Sequence, residues 1–227
     1  MAEGSTDNHA PDVAIREPYA IERVTLDKAT TDNGFGISEG VQDGWRRFRG
    51  LGVPYRLWVA RADGTWLVGI VHGGVMSALD DFARAPIPCP DGSPAVQVGD
   101  LEPTVRRIAR LARSLPPAPL ETFKQRTHDL PRTTEAERLV VQRVGQNIFR
   151  DALLDYWSWR CPLTGITHPD LLRASHIKPW SQCDSDTERL DVHNGLLLAA
   201  HLDAAFDAGL ITFEDDGTLR VSPQLSS

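Results

Sequence analysis

Arg173-Ala-Ser175-His176-Ile177-Lys178-Pro179-Trp180, then Asn194-Gly195-Leu196-Leu197-Leu198, then His201-Leu-Asp203-Ala-Ala-Phe206-Asp207 follow one another near the C-terminal end, and their order decides how the chain is read. Leu171 to Ile177 is a short apolar run that stops at Pro179, a residue that cannot continue a central strand. Residues 180–193 are polar and charged and read as a loop. Leu196 to Leu198 restarts an extended run, and Ala199 to Ala208 is a helix of good formers stopped by Gly209. The predicted order is therefore strand, loop, strand, helix. Asp203 and Asp207 are four apart and share a helix face, whereas His201 and Asp203 cannot both sit centrally on one face. A neutral imidazole facing a carboxylate-held divalent cation is the pairing that phosphodiester hydrolysis uses: the ring takes a proton from water, and the cation neutralises the phosphate and the leaving oxygen.

These motifs resemble the HNH endonucleases of the ββα-metal fold, in the branch found in restriction-like bacterial proteins. The resemblance continues upstream through Gln142-Arg143-Val144-Gly145-Gln146, Phe149-Arg150 and Cys161-Pro162-Leu163-Thr164-Gly165, and downstream to Gly209-Leu210-Ile211. It implies metal-dependent hydrolysis of DNA phosphodiesters, leaving 5′-phosphate and 3′-hydroxyl ends. His176 takes the general base's place and Asn194 that of the residue bracing the loop around it. The helix ligand position falls on Asp203, with His201 or Asp207 beside it, holding one Mg²⁺ or Mn²⁺. Ser175 stands where many members carry Asp or His, and a neutral hydroxyl is a poor ligand, so the cation would rest on helix carboxylates and substrate phosphate. The alternative reading is a catalytically inactive DNA-binding module with a degenerate site. Some relatives carry paired Cys-x-x-Cys zinc knuckles; Cys161 is followed by Pro-Leu-Thr, so no structural zinc is expected.

Lys178, Arg173, Arg143 and Arg150 are the candidate phosphate-binding cations, the last two seven apart on one side of a long predicted helix, with plain solvation as the alternative. His168 and His193 read as loop residues without a role. The formal net charge of −7 does not by itself advertise nucleic-acid binding. Its distribution says more: residues 133–227 hold 8 Lys+Arg against 14 Asp+Glu, whereas 104–132 hold seven basic residues against Glu121 and Asp129. That basic stretch reads either as a phosphate-holding segment or as a solvated helix face with a linker.

Hydrophobic content of 41% and charged content of 24% are ordinary for a globular chain, and no apolar run reaches the ~18 residues of a membrane span. Met1 to Pro11 is polar and acidic, unlike a signal peptide, and three scattered cysteines (Cys89, Cys161, Cys183) fit a reducing cytoplasm, so a cytoplasmic enzyme acting on double-stranded DNA is expected, with a homodimer left open.

Residues 1–12 read as a disordered leader, Ile15 to Leu26 as one strand, and Asp32 to Gly44 as a Gly-rich loop. Tyr55 to Val71 forms the clearest hairpin, with Asp63-Gly64 at its turn and Trp58 facing Trp66 across it. Val75 to Arg84 reads as a short helix, Pro86 to Pro94 as irregular, and Pro103 to Leu115 as an amphipathic helix. Thr134-Glu-Ala-Glu137 is a capping box opening a helix to about Trp157, its buried stripe approximated by Val140, Val144, Ile148, Leu153 and Trp157. Ile211 to Val221 closes as a hairpin. Gly36-Ile-Ser38-Glu-Gly40 spells a nucleophile elbow, but polar turn formers flank it and His72-Gly-Gly lies in the wrong order for a serine hydrolase. The expected architecture is α+β: a small β-rich N-terminal domain (13–115) of unassigned role, with target recognition or regulation as the options, a Pro-rich basic linker (116–132), and a C-terminal ββα-metal (HNH) nuclease domain (133–227) that begins with the long helix.

Overall fold

The computed structural model describes residues 14–214 and 216–226, so the leader expected over 1–12 lies outside it. Two compact units emerge, one up to Ala109 and one from Arg110. The first opens with β1 (Ile15–Arg16) and α1 (Ala20–Asp32). The single strand expected over Ile15 to Leu26 is corrected here. Pro18 follows close on the strand, and Leu26, Ala29 and Thr30 recur at helical spacing on a buried side. The apolar residues Tyr19, Ile21 and Val24 are exposed, which blurs that spacing in the bare sequence.

β2 (Ile37–Gln42) and β3 (Trp45–Arg49) form a hairpin over Asp43-Gly44; β4 (Arg56–Ala62) and β5 (Thr65–Ile70) form another over Asp63-Gly64. Both turns have positive φ at both central residues, the conformation whose twist matches the flanking strands. The loop expected over Asp32 to Gly44 is thus half a hairpin, its turn bearing the same Asp-Gly signal as the one that was read. The elbow-like Gly36 to Gly40 stretch lies mostly in β2, at a β-bulge between Ser38 and Gly40. α2 spans only Gly73–Ser77, shorter than the helix expected over 75–84.

β6 (Ala95–Val98) completes an antiparallel sheet in the order β2-β3-β4-β5-β6, with β1 paired to β4. The register sets Trp58 opposite Gly69 and Arg61 opposite Trp66, so the two tryptophans point to opposite faces rather than at each other. One face holds Trp45, Trp58, Ala60, Ala62 and Leu67 packed with Cys89 and Ala95; Leu57, Val59, Val68 and Ile70 bury the other. α3 (Leu101–Ser114) follows, and its Val105, Ile108 and Ala112 are fully buried.

In the second unit, part of the expected linker is a helix, α4 (Ala118–Thr127). Pro117 and Pro119 sit at its first turn, where a missing N–H leaves no bond unmade, and Phe123 and Thr127 are buried as it packs along the next helix. That helix, α5 (Glu135–Tyr156), opens with the expected capping box: Thr134 Oγ1 accepts the Glu137 N–H at 3.2 Å and the Glu137 carboxylate accepts the Thr134 N–H at 2.9 Å. Its buried side is Val141, Gly145, Ile148, Phe149, Ala152 and Leu153; Val140 is exposed, so the expected stripe is rotated. The rotation follows from α5 being covered by α4 and by the hairpin of β7 (Leu172–His176) with β8 (Gly195–Ala199). Between these strands lies a short helix, α6 (Asp186–Arg189); after them come α7 (Ala200–Asp207) and the closing hairpin of β9 (Ile211–Phe213) and β10 (Leu219–Val221). Among the described residues no helix is long and apolar enough to cross a membrane.

Candidate functional site

The antiparallel register of β7 and β8 places Ser175 opposite Leu196 and His176 opposite Gly195, and α5 and α7 both pack against this pair of strands. Gly195 is required by close approach rather than by a turn: a Cβ there would lie 2.4 Å from Phe149 Cζ and 3.0 Å from Leu153 Cδ1. The space so kept lets the Phe149 ring lie flat on the His176 imidazole, centroids 3.7 Å apart and planes at 18°, while Trp180 meets the imidazole edge-on at 5.6 Å. Trp180 in turn occupies room left by Gly145 on α5, where a Cβ would sit 2.5 Å from the indole.

His176 Nε2 lies 2.9 Å from the Arg189 carbonyl oxygen. A carbonyl only accepts, so Nε2 carries the proton of the neutral ring and Nδ1 keeps its lone pair. Burial holds the imidazole below its ordinary pKa, with the Arg189 carbonyl pulling weakly the other way.

Asn194 ties this loop together. Its Oδ1 accepts the Lys178 N–H at 2.8 Å, and its Nδ2 donates to the carbonyls of Lys178 (3.3 Å) and Glu188 (3.2 Å) and to Cys183 Sγ (3.4 Å). Lys178 Nζ reaches Glu188 at 2.8 Å and Asp184 at 3.0 Å, pairings that push its pKa up to about 12. Arg189 donates to the carbonyls of Cys183 (2.6 Å) and Trp180 (3.2 Å) and pairs with Asp186 at 3.0 Å.

On the other side of β7, Ser175 is buried and its hydroxyl donates to the Asp203 carboxylate on α7. Consecutive strand residues point to opposite faces, so Asp203 meets β7 through Ser175 on the α7 side, while the His176 imidazole is on the other side, against α5. Asp207 lies one turn along from Asp203 on the same side of α7 and is exposed; His201, about 200° around the helix from Asp203, is exposed as well. Among the described residues no three His, Cys, Asp or Glu side chains gather as a ready-made metal cage. The donors present, one half-exposed carboxylate beside a hydroxyl, fit a hard cation that keeps most of its shell from water and phosphate.

The four candidate phosphate-binding cations divide. Arg150 donates to the carbonyls of Leu172 and Pro169 at 2.8 Å each, bracing the approach to β7. Arg173 donates to the carbonyls of Asp170 and Leu172, and Lys178 is held by carboxylates. Arg143 is exposed. In the basic stretch 104–132, Arg106 pairs with Glu102, Arg107 with Asp81, Arg113 with Asp155, and Arg132 bonds Thr127 Oγ1. Phe149, Arg189, Glu188 and the two close-approach glycines were assigned no role in the sequence; only the periodicity of α5 and the Asn-Gly pair hinted at their places.

No curated protein matches the chain. Residues 161–214, which contain β7, β8 and α7 whole, match the family model described as HNH endonuclease, so the likeness to that family falls within the second unit.

Proposed function

We propose that the protein is a metal-dependent endonuclease that hydrolyses phosphodiester bonds of DNA, with His176 as general base. The observation that carries this reading is the hydrogen bond from His176 Nε2 to the Arg189 carbonyl. It selects the tautomer whose Nδ1 accepts a proton from water, and the buried face against Phe149 keeps the ring neutral below its usual titration range. Asn194 holds the loop backbone ahead of α6, through Lys178, and within α6 next to the Arg189 carbonyl, through Glu188, and so supports the direction of the lone pair. Asp203 would hold one Mg²⁺ or Mn²⁺, with Asp207 or His201 as the further donor that substrate binding draws in. A divalent ion bound there neutralises the scissile phosphate and the leaving 3′ oxygen. A place in restriction or defence rests on the resemblance alone.

A second reading is a DNA-binding module that has lost its metal. Ser175 in place of an acid or imidazole, and the lack of three gathered ligands among the described residues, favour it. Plasmid incubated with Mn²⁺ separates the two. Nicking or linearisation by the wild type and none by His176→Ala supports the enzyme; gel retention without cleavage by either supports the binder.

A further inference from the structure

The part of the second unit that holds β7, β8 and α7 is poorly supplied with free cations for a polyanionic substrate, although Lys124 and Arg126 on α4 of the same unit are exposed. Residues 133–227 carry 14 acidic against 8 basic side chains, and Arg150, Arg173, Lys178 and Arg189 are committed to carbonyls or carboxylates. Affinity for a phosphodiester backbone comes mainly from Lys and Arg, so a nuclease built this way needs positive surface elsewhere.

The first unit has it. Between Asp43 and Asp63 there is no acidic residue, but there are five arginines, Arg46, Arg47, Arg49, Arg56 and Arg61. β3 and β4 pair Arg47 with Trp58 and Arg49 with Arg56, so Arg47, Arg49 and Arg56 share one face of the sheet. The bulge in β2 inserts Glu39 between the residues that pair with Phe48 and Arg47, and its carboxylate sits among all three guanidinium groups, at 3.1 Å, 3.3 Å and 2.8 Å. The glutamate side chain is 18% exposed and the arginines 37%, 51% and 55%, so the acid is tucked beneath the bases. Hydrogen bonding from Arg56, with the charges of the other two, holds Glu39 below its ordinary pKa; it stays ionised and cancels one of three positive charges. Asp91 also reaches this face, through the Trp58 indole, but is committed to that N–H and to Ser93. Arg47 lies over the Trp58 ring at 5.4 Å, which fixes its direction.

We propose that this three-arginine face binds the phosphodiester backbone of nucleic acid and supplies affinity beyond what residues 133–227 provide. Guanidinium forks suit phosphate oxygens, and a shared, partly covered acid holds them in array before a ligand arrives. The proposal rests on the nuclease reading above for its substrate, but its test does not depend on cleavage.

The full chain carrying His176→Ala is titrated into a fluorescein-labelled DNA duplex at several salt concentrations and followed by anisotropy. Adding Arg49→Glu and Arg56→Glu is expected to weaken binding at least ~10-fold and to reduce the slope of log affinity against log salt by about 2, since each phosphate contact contributes about 0.9. Arg49→Lys with Arg56→Lys retains most of the slope, and Arg106→Glu, on a side chain already paired with Glu102, leaves both quantities unchanged. If the charge reversal perturbs folding in a thermal melt, the Arg49→Gln and Arg56→Gln single variants are read instead, each with a slope change near 1. Unchanged affinity and slope in the reversed protein, or no salt-dependent binding in the parent, overturns the inference. A wild-type protein that binds through these arginines yet never cuts would instead overturn the nuclease reading and leave this one standing.

Discussion

The two sides of β7 are built differently. On the α5 side, His176 is clamped by Phe149, Trp180 and the Arg189 carbonyl, and Asn194 alone makes four hydrogen bonds in the surrounding loop. On the α7 side, Asp203 accepts the Ser175 hydroxyl, while His201 and Asp207 are exposed. In the proposed reaction, proton transfer needs a lone pair held within tenths of an ångström, and the packing around His176 would supply that before anything binds. A hard cation brings its own water and takes phosphate oxygens from the substrate, so its side tolerates an open arrangement. The base side should therefore fail by losing both fold and function, and the cation side by losing metal affinity with the fold intact.

The largest expected effect tests the base itself. His176→Ala should lower the cleavage rate by about 10²–10⁴-fold at saturating Mn²⁺, read as nicked plasmid against time, and should also lower the melting temperature, since the stacking on Phe149 and the bond to the Arg189 carbonyl go with the ring. A variant that cuts at the wild-type rate would remove His176 from the chemistry. Asp203→Ala comes next. Activity should require roughly 10–100-fold more Mn²⁺, with little change in the thermal melt; a matching loss at saturating metal and a large drop in melting temperature would mean the carboxylate serves packing through Ser175 instead.

Asn194→Ala and Gly195→Ala probe the rigid side by stability. The first leaves the Lys178 N–H and the Glu188 carbonyl without a partner, at a cost of about 1–3 kcal/mol. The second drives a methyl into Phe149 and Leu153, at a cost of about 1–3 kcal/mol. Chemical denaturation reads both, and two fully stable variants would show that the loop is not the tight scaffold described above.

The smallest effect concerns pH. Burial lowers the pKa of His176, so the ring takes up a proton at lower pH than a fully exposed imidazole would. Phe149→Ala admits water to the imidazole face, raises that pKa, and should move the acid limb of the pH–rate profile to higher pH. An unmoved limb, or one displaced downward, would separate the stacking from the titration.

Much of this was legible without coordinates. Alternation and turn chemistry located the Asp63-Gly64 hairpin, the capping box at Thr134, and the strand–loop–strand–helix order after residue 170, because each depends on neighbours a few positions apart. Where solvent-facing residues were apolar, as in α1, local pattern pointed the wrong way. The prolines before α4 were read as breakers, though at a first turn they are compatible with a helix. The rotation of α5 was hidden because a helix covered on more than one side has no single apolar stripe.

The sequence by itself determined which residues are candidates for the chemistry, His176, Asn194 and Asp203, since motif order and spacing survive any detail of packing. Only the tertiary structure decided which nitrogen of His176 is free, that Asp203 meets β7 through Ser175, that Lys178 is held within its own loop, and that Glu39 gathers three arginines across neighbouring strands. Those facts depend on groups brought together from distant or differently oriented backbone segments, and a partner's position in space is not a property of either residue's local sequence.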